Sequence, residues 1–157
     1  MALSDRSGHF DLCIPDENNL GTAPLSRKWR DTSQPISVKV MTAHEFLEAR
    51  RIRGEYVVKI DVEGHESNVG RGCLAYFRKH PPKAIIFEST GHKYEGRKFS
   101  DKEAYRMLLA DKYRVFAVQK SLFRLKLTEV MDNDPHPNAT DFVAVRSSLV
   151  GRLGHVS

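Results

Sequence analysis

The sequence predicts an α/β fold with a parallel βαβ core and antiparallel strands toward the C-terminus. Two short apolar runs, residues 56–61 and 83–88, flank a segment with helical periodicity. A strand, a helix and a strand within about 33 residues have the length of a βαβ unit, so the two strands are expected to be parallel. Strand-like segments then follow one another near the C-terminus, and this order predicts antiparallel strands at one edge of the sheet.

The N-terminal part of the chain has two segments of alternating polarity. They predict strands over residues 9–14 and 36–40, separated by a polar, turn-rich loop over 16–35. Thr42 and Glu45 have the spacing of a capping box, which predicts that a short helix begins there.

The central helix is predicted over residues 66–80. Val69, Cys73 and Phe77 recur at four-residue intervals, as on one face of a helix, and two prolines then end it. Gly70 lies inside this helix and is expected to cost about 1 kcal/mol of stability relative to alanine.

The C-terminal part begins with a second capping box, residues 100–103, which opens a helix that carries Ala104, Met107 and Leu108 on one face. The remaining elements are strands over 113–118, 122–130 and 141–145, a turn over 119–121 and a loop over 131–140. Residues 1–150 are predicted to form a single domain, and 151–157 a frayed tail.

Composition restricts the class of protein. The 157 residues are 40% hydrophobic and 29% charged, as expected for one globular domain. The sequence has no apolar run of about 18 residues and no apolar stretch of signal-peptide type near Met1, so we expect a soluble, cytoplasmic protein without a membrane span. Cys13 and Cys73 suggest neither a disulfide framework nor a zinc site, and each is expected to be a small buried residue.

The formal net charge is +5, with basic clusters at residues 27–30 and 50–53. The second cluster lies at a predicted helix end, where cations interact favourably with the helix dipole. The first cluster lies in a polar loop and is the candidate contact for an anionic partner such as a nucleic acid. A solvated surface is the favoured interpretation, because basic residues occur along the whole chain.

Ionisable residues follow both strands of the predicted βαβ unit. Asp61, Glu63, His65 and Glu66 come directly after the first strand, and Glu88 ends the second. Ligands of open α/β sheets bind at the carboxyl ends of the strands, so this cluster is a candidate acid–base site. A structural role is the alternative: Asp61 would cap the following helix, and the glutamates would suit its first turn.

The eight residues 59–66 read Lys-Ile-Asp-Val-Glu-Gly-His-Glu and resemble the K-I-D-V-E-G-x-E signature of FkbM-type methyltransferases. Shorter pieces are similar to other parts of that family: residues 2–8, 40–47, 69–72, 87–88 and 138–145. His44 departs from the family pattern, which usually has Asp at that position.

The resemblance implies a partial Rossmann-like sheet of the class I methyltransferase type, and S-adenosylmethionine as cofactor. It implies methyl transfer to a hydroxyl of a small molecule such as a sugar or polyketide, without a metal ion. The residues implied as catalytic are Asp61, Glu63, His65 and Glu88, and those implied to bind the cofactor are Ala2, Leu3, Asp61 and Gly64.

The sequence lacks the D-x-G-x-N-x-G loop that the first strands of that family carry. We therefore expect an N-terminally truncated domain in which the strand at 56–61 has lost one neighbour and exposes an apolar edge. The strands at 9–14 and 36–40 are expected to cover part of this gap. A homodimer or a missing N-terminal half would cover the rest, and a catalytically inactive half-domain that acts as a binding module is the alternative function.

Overall fold

The computed structural model describes residues 1–12, 36–62, 65–89, 103–120, 125–131 and 139–152, and the chain divides into two compact units. Unit 1 consists of Met1–Ile52 and Val62–Lys79, and unit 2 of Arg53–Asp61 and His80–Ser157. Both units combine helices with β-sheet, so the predicted mixed α/β class is confirmed.

Unit 1 contains a three-stranded sheet in which β3 (Ile36–Thr42) lies between β1 (Ala2–Ser4) and β2 (Gly8–Leu12). β3 runs parallel to β1 and antiparallel to β2. The alternation of residues along β3 gives it one inward face, on which Val40 is buried. β2 and β3 confirm the two predicted strands, whereas the sequence did not predict β1.

The first helix of unit 1, α1 (Ala43–Arg50), begins and ends with well-defined caps. The predicted capping box is confirmed: the Glu45 N–H donates to the Thr42 hydroxyl, and the Thr42 N–H donates to the Glu45 carboxylate. The helix ends at Arg51, whose left-handed backbone lets its N–H donate to the Glu48 carbonyl.

The second helix of unit 1, α2 (Glu66–Lys79), buries the predicted face of Val69, Cys73 and Phe77. Burial also raises the pKa of the Cys73 thiol to about 12, so Cys73 is a packed, unreactive residue as expected. Gly72 faces β1 so closely that a Cβ at this position would lie 2.0 Å from the Ser4 carbonyl oxygen.

Unit 2 is built on a five-stranded sheet of order β4-β5-β8-β6-β7. Its strands are β4 (Val57–Ile60), β5 (Ala84–Glu88), β6 (Tyr113–Lys120), β7 (Leu125–Glu129) and β8 (Asp141–Arg146). β4 and β5 are parallel, as predicted for the βαβ unit, and all other pairs are antiparallel. Helix α3 (Glu103–Ala110) contacts β6, and a 3-10 helix, Ser147–Arg152, follows β8.

Three sequence-based expectations about these elements need correction. β6 continues through Gln119 and Lys120, where the sequence predicts a turn, because these residues pair with Lys126 and Leu125 of β7. The 3-10 helix includes Gly151 and Arg152, where the sequence predicts the start of a frayed tail. The strands expected to cover the edge of β4 belong instead to the separate sheet of unit 1, because β3 pairs with both β1 and β2.

Candidate active site

Two of the predicted site residues lie at one end of the parallel pair in unit 2. Ile60 of β4 is in register with Phe87 of β5. Asp61 and Glu88 are each one residue further along, at the carboxyl ends of adjacent parallel strands. Parallel pairing brings these two strand ends together, in the part of an α/β sheet where ligands bind.

A third carboxylate joins this end of the sheet from β8. Asp141 is the direct cross-strand partner of Glu88, so both side chains lie on the same face. Like charges placed opposite each other are unfavourable, and here Lys120 offsets the repulsion: its Nζ lies 2.5 Å from Oδ2 of Asp141. Sequence reasoning missed Asp141 and Lys120.

Lys59 forms the second ion pair at this end of the sheet. Its Nζ lies 2.6 Å from Oδ2 of Asp61, two residues further along the same face. The hydrogen bond and the charge of Asp61 raise the pKa of Lys59, and Glu88 and Asp141 act in the same direction. The described side chains here thus include three carboxylates and two ammonium groups.

The structural alternative for Asp61, a helix cap, does not match the start of α2. The helix begins at Glu66, and it is the carbonyl of His65 that accepts hydrogen bonds from the N–H groups of Asn68 and Val69. His65 therefore occupies the cap position, and Glu66 lies in the first turn, as expected for an acidic residue. The Asp61 carboxylate is instead paired with Lys59, and 42% of its side chain is exposed.

The predicted site residues of unit 1 lie in β1 and at the start of α2. Ala2 and Leu3 are partly exposed in β1, and the next residue, Ser4, is buried. The Ser4 hydroxyl lies 2.9 Å from Nε2 of His65 and 3.1 Å from Oδ1 of Asp5.

Asp5 is in turn bound by a cation from α2. Nε of Arg71 donates to Oδ2 of Asp5 at 3.1 Å, and Nη2 lies 3.0 Å from the same oxygen and also donates to the Asn68 side chain. Burial acts to raise the pKa of Asp5, but the hydrogen bonds from Arg71 and Ser4 outweigh it and hold the pKa below its ordinary value.

The imidazole of His65, another predicted site residue, has a lowered pKa. Burial lowers its pKa, which the carboxylates of Asp5 and Glu66 partly oppose and the guanidinium groups of Arg71 and Arg6 reinforce. The ring is therefore predominantly neutral at neutral pH, the state that a proton acceptor requires.

Several predicted features lie outside the described residues. Glu63 and Gly64 are the two site residues among them, and they separate the Asp61 strand end from His65 in sequence. The loop at 16–35 with its basic cluster, Cys13 and the start of the second capping box also lie there, as do parts of the predicted strand 122–130, the loop 131–140 and the tail.

A sequence model described as the Methyltransferase FkbM domain matches residues 2–116. The chain belongs to this family. Comparisons with curated proteins and with solved structures gave no significant match.

The FkbM match contains all the predicted site residues and ends within β6. Asp141 and Lys120 lie beyond it, as does the segment 138–145 that resembles the closing strand of the family. The ion pair of β6 and β8 thus could not have been found from the FkbM signature. It arises from antiparallel pairing between strands more than 20 residues apart in sequence.

Two further observations concern the described part of this FkbM chain. None of its helices there is long and apolar enough to cross a membrane. Nor do the histidine, cysteine and acidic side chains placed in that part form a group of three or more with the arrangement of a metal site.

Proposed function

We propose that this FkbM chain transfers a methyl group from S-adenosylmethionine to a hydroxyl oxygen of a small molecule, such as a sugar, a polyketide or a related metabolite. The observation that carries the proposal is the alignment of Asp61 and Glu88 at the carboxyl ends of adjacent parallel strands. The order β4-β5-β8-β6, with a parallel pair followed by antiparallel strands, supports a partial Rossmann-like sheet of the class I type.

The charge at this strand end suits the cofactor. When bound, S-adenosylmethionine supplies an electrophilic methyl group on a cationic sulfonium. Asp61, with its partly exposed carboxylate, would face that cation, and Glu88 would be its partner on the second strand. Ala2, Leu3 and Gly64 would contact the rest of the cofactor, as the family resemblance implies.

A hydroxyl oxygen attacks a methyl group efficiently only when a base takes its proton. Glu63 and His65 are the two candidates for this base. His65 meets the electrostatic requirement, because burial lowers its pKa and keeps the imidazole neutral.

We also infer a cytoplasmic location, consistent with the absence of a membrane-crossing helix from the described residues.

One observation favours a second function, that of a catalytically inactive binding module. Among the described strands β4 is hydrogen-bonded only to β5, so its other edge is open to a partner strand. A second copy of this chain or a separate N-terminal half would supply such a strand.

Calorimetric titration with S-adenosylmethionine separates the two functions. A dissociation constant in the micromolar range supports the enzyme, and transfer of the labelled methyl group to hydroxyl-bearing acceptors is then the direct assay. A folded sample that neither binds the cofactor nor transfers its methyl group contradicts the enzyme and favours the binding module.

A further inference from the structure

The buried hydroxyl of Ser4 has two partners, Asp5 and His65. A hydroxyl has one proton to donate, and an ionised carboxylate can only accept. The hydrogen bonds from Arg71 and Ser4 keep Asp5 ionised, so the Ser4 proton is directed to Asp5. The contact between Ser4 and His65 therefore requires that Nε2 of His65 carries a proton and donates it to the Ser4 oxygen.

This assignment fixes the tautomer of the imidazole. Because burial keeps the ring neutral, a proton on Nε2 leaves Nδ1 as the only basic nitrogen. The charged groups that act on the ring are Asp5 and Arg6, which follow β1, and Glu66 and Arg71 on α2. Nε2 is thus a hydrogen-bond donor to the protein, and it cannot accept a proton from a substrate.

Four side chains, those of Ser4, Asp5, His65 and Arg71, form a continuous chain of contacts that we name the Ser4–His65 latch. It joins the end of β1 to the first two turns of α2, at the point where the Gly72 backbone also approaches Ser4. β1 is only three residues long and pairs with β3 alone in the described sheet. The latch therefore holds β1 by side-chain contacts, in addition to the few backbone hydrogen bonds that so short a strand can form with β3.

We propose that His65, one of the two base candidates named above, is instead a positioning residue, which uses Nε2 to hold Ser4 and thereby presents Ala2 and Leu3 in the conformation that binds the cofactor. The inference rests on the proposed function, in which these two residues contact S-adenosylmethionine. Without the latch, part of the binding free energy would be spent on ordering β1, and the cofactor would bind more weakly.

The tautomer can be measured directly. Long-range ¹H–¹⁵N correlation spectra of the labelled protein distinguish a protonated ring nitrogen from one with a lone pair. At about pH 7.5 we expect Nε2 of His65 to be protonated and Nδ1 to be free. The opposite tautomer in wild type would overturn the proposal. So would an Nε2 signal of His65 that is the same in wild type and in Ser4→Ala.

Variants at position 65 then separate positioning from proton transfer. His65→Gln keeps an N–H donor that can reach Ser4, whereas His65→Leu does not; Ser4→Ala removes the acceptor. We expect His65→Leu and Ser4→Ala to weaken S-adenosylmethionine binding about tenfold, and His65→Gln to stay within about threefold of wild type. His44→Gln, a histidine change on α1 outside the latch, is the control and should leave affinity unchanged.

Activity assays add a second criterion. A positioning role predicts that His65→Gln retains kcat and its pH profile, because glutamine restores the hydrogen bond without titrating. If instead His65→Gln and His65→Leu lose turnover equally with unchanged cofactor affinity, His65 is a base and the positioning role is rejected. If wild type binds no cofactor, the proposed function fails; the tautomer measurement still decides whether the Nε2 hydrogen bond exists.

Discussion

Gly72 and Ser4 are in direct backbone contact, since a Cβ built on Gly72 would lie 2.0 Å from the Ser4 carbonyl oxygen. The contact explains why a glycine, a poor helix former, stands in the middle of α2. It also sets the distance between α2 and β1, and hence the geometry of the Ser4–His65 latch.

Replacement of Gly72 by alanine should therefore destabilise unit 1. The added Cβ would meet backbone atoms of Ser4, which cannot rotate away, and we expect a loss of about 2–3 kcal/mol in the free energy of unfolding, measured with urea. Gly151→Ala is the matched control, because nothing lies within 4 Å of a Cβ at that position. The control should change stability by less than about 0.5 kcal/mol. Equal effects of the two variants would contradict the close contact.

The end of α1 offers a stabilising substitution. Arg51 has φ 51° and ψ 38°, a left-handed conformation that costs most L-residues about 1–2 kcal/mol and costs glycine almost nothing. Arg51→Gly should raise the free energy of unfolding by about 1 kcal/mol. The neighbouring change Arg50→Gly lies within the helix and should lower it by about 1 kcal/mol. Opposite signs at adjacent positions are the result to look for, and equal signs would reject this cap assignment.

The capping box predicts a pH dependence of stability. A hydrogen bond from Ser7 and two from Thr42 lower the pKa of Glu45. Because the folded-state pKa lies below the unfolded one, the stabilisation is complete above the unfolded pKa of about 4.5 and is lost as the pH falls through the folded pKa. Urea unfolding of wild type and Glu45→Gln should thus differ at about pH 7 and converge as the pH falls through the folded-state pKa of Glu45. The same comparison in a Ser7→Ala background should converge at a higher pH. Loss of the Ser7 hydrogen bond leaves the pKa of Glu45 less depressed.

The exposed edge of β4 predicts self-association. Val57 is 57% exposed on this strand, which has β5 as its one hydrogen-bonded neighbour in the described sheet. Val57→Lys should reduce the association seen in sedimentation velocity, since a lysine disfavours strand pairing at an edge. Met131→Lys is the control, because Met131 is similarly exposed, at 59%, but lies outside any strand. A monomeric wild type that melts sharply well above about 60 °C would contradict this prediction.

Asp61 is the residue whose removal should cost the most activity. We expect Asp61→Asn to lower turnover by about 100-fold or more, because it removes the negative charge that would face the sulfonium. The fold should stay intact, because the side chain is partly exposed. Glu55→Gln is a matched control: Glu55 also forms an ion pair of 2.6 Å, with Lys83, near the opposite end of the β4–β5 pair. Unchanged turnover in Asp61→Asn would remove Asp61 from the mechanism.

The elements that could be predicted from sequence are those with a clear local pattern, either a repeating period or a capping motif. Val69, Cys73 and Phe77 marked the buried face of α2, and Thr42 with Glu45 marked the start of α1. β1 could not be predicted in this way, because three residues are too few to show an alternation and the strand exists through its pairing with β3.

The residues of the candidate site divide in the same way, into those that a local pattern indicates and those that tertiary structure brings in. Asp61 and Glu88 were found because each ends an apolar run, and parallel strands bring their ends together. Asp141 was missed because the pairing of β8 with β5 depends on tertiary structure that no local pattern encodes. The part played by Ser4 was missed because its burial follows from a contact with α2 some 60 residues away in sequence.

The two units are interleaved along the chain, and this has a consequence for biosynthesis. Residues 53–61, which carry β4, belong to unit 2 but are flanked on both sides by residues of unit 1. Unit 1 therefore has all its residues once Lys79 has been added, whereas β4 acquires its partner only after Glu88. A nascent chain of intermediate length would carry a finished first unit and an unpaired, β-branched strand. Chaperone contact or premature aggregation would be expected at this stage of translation.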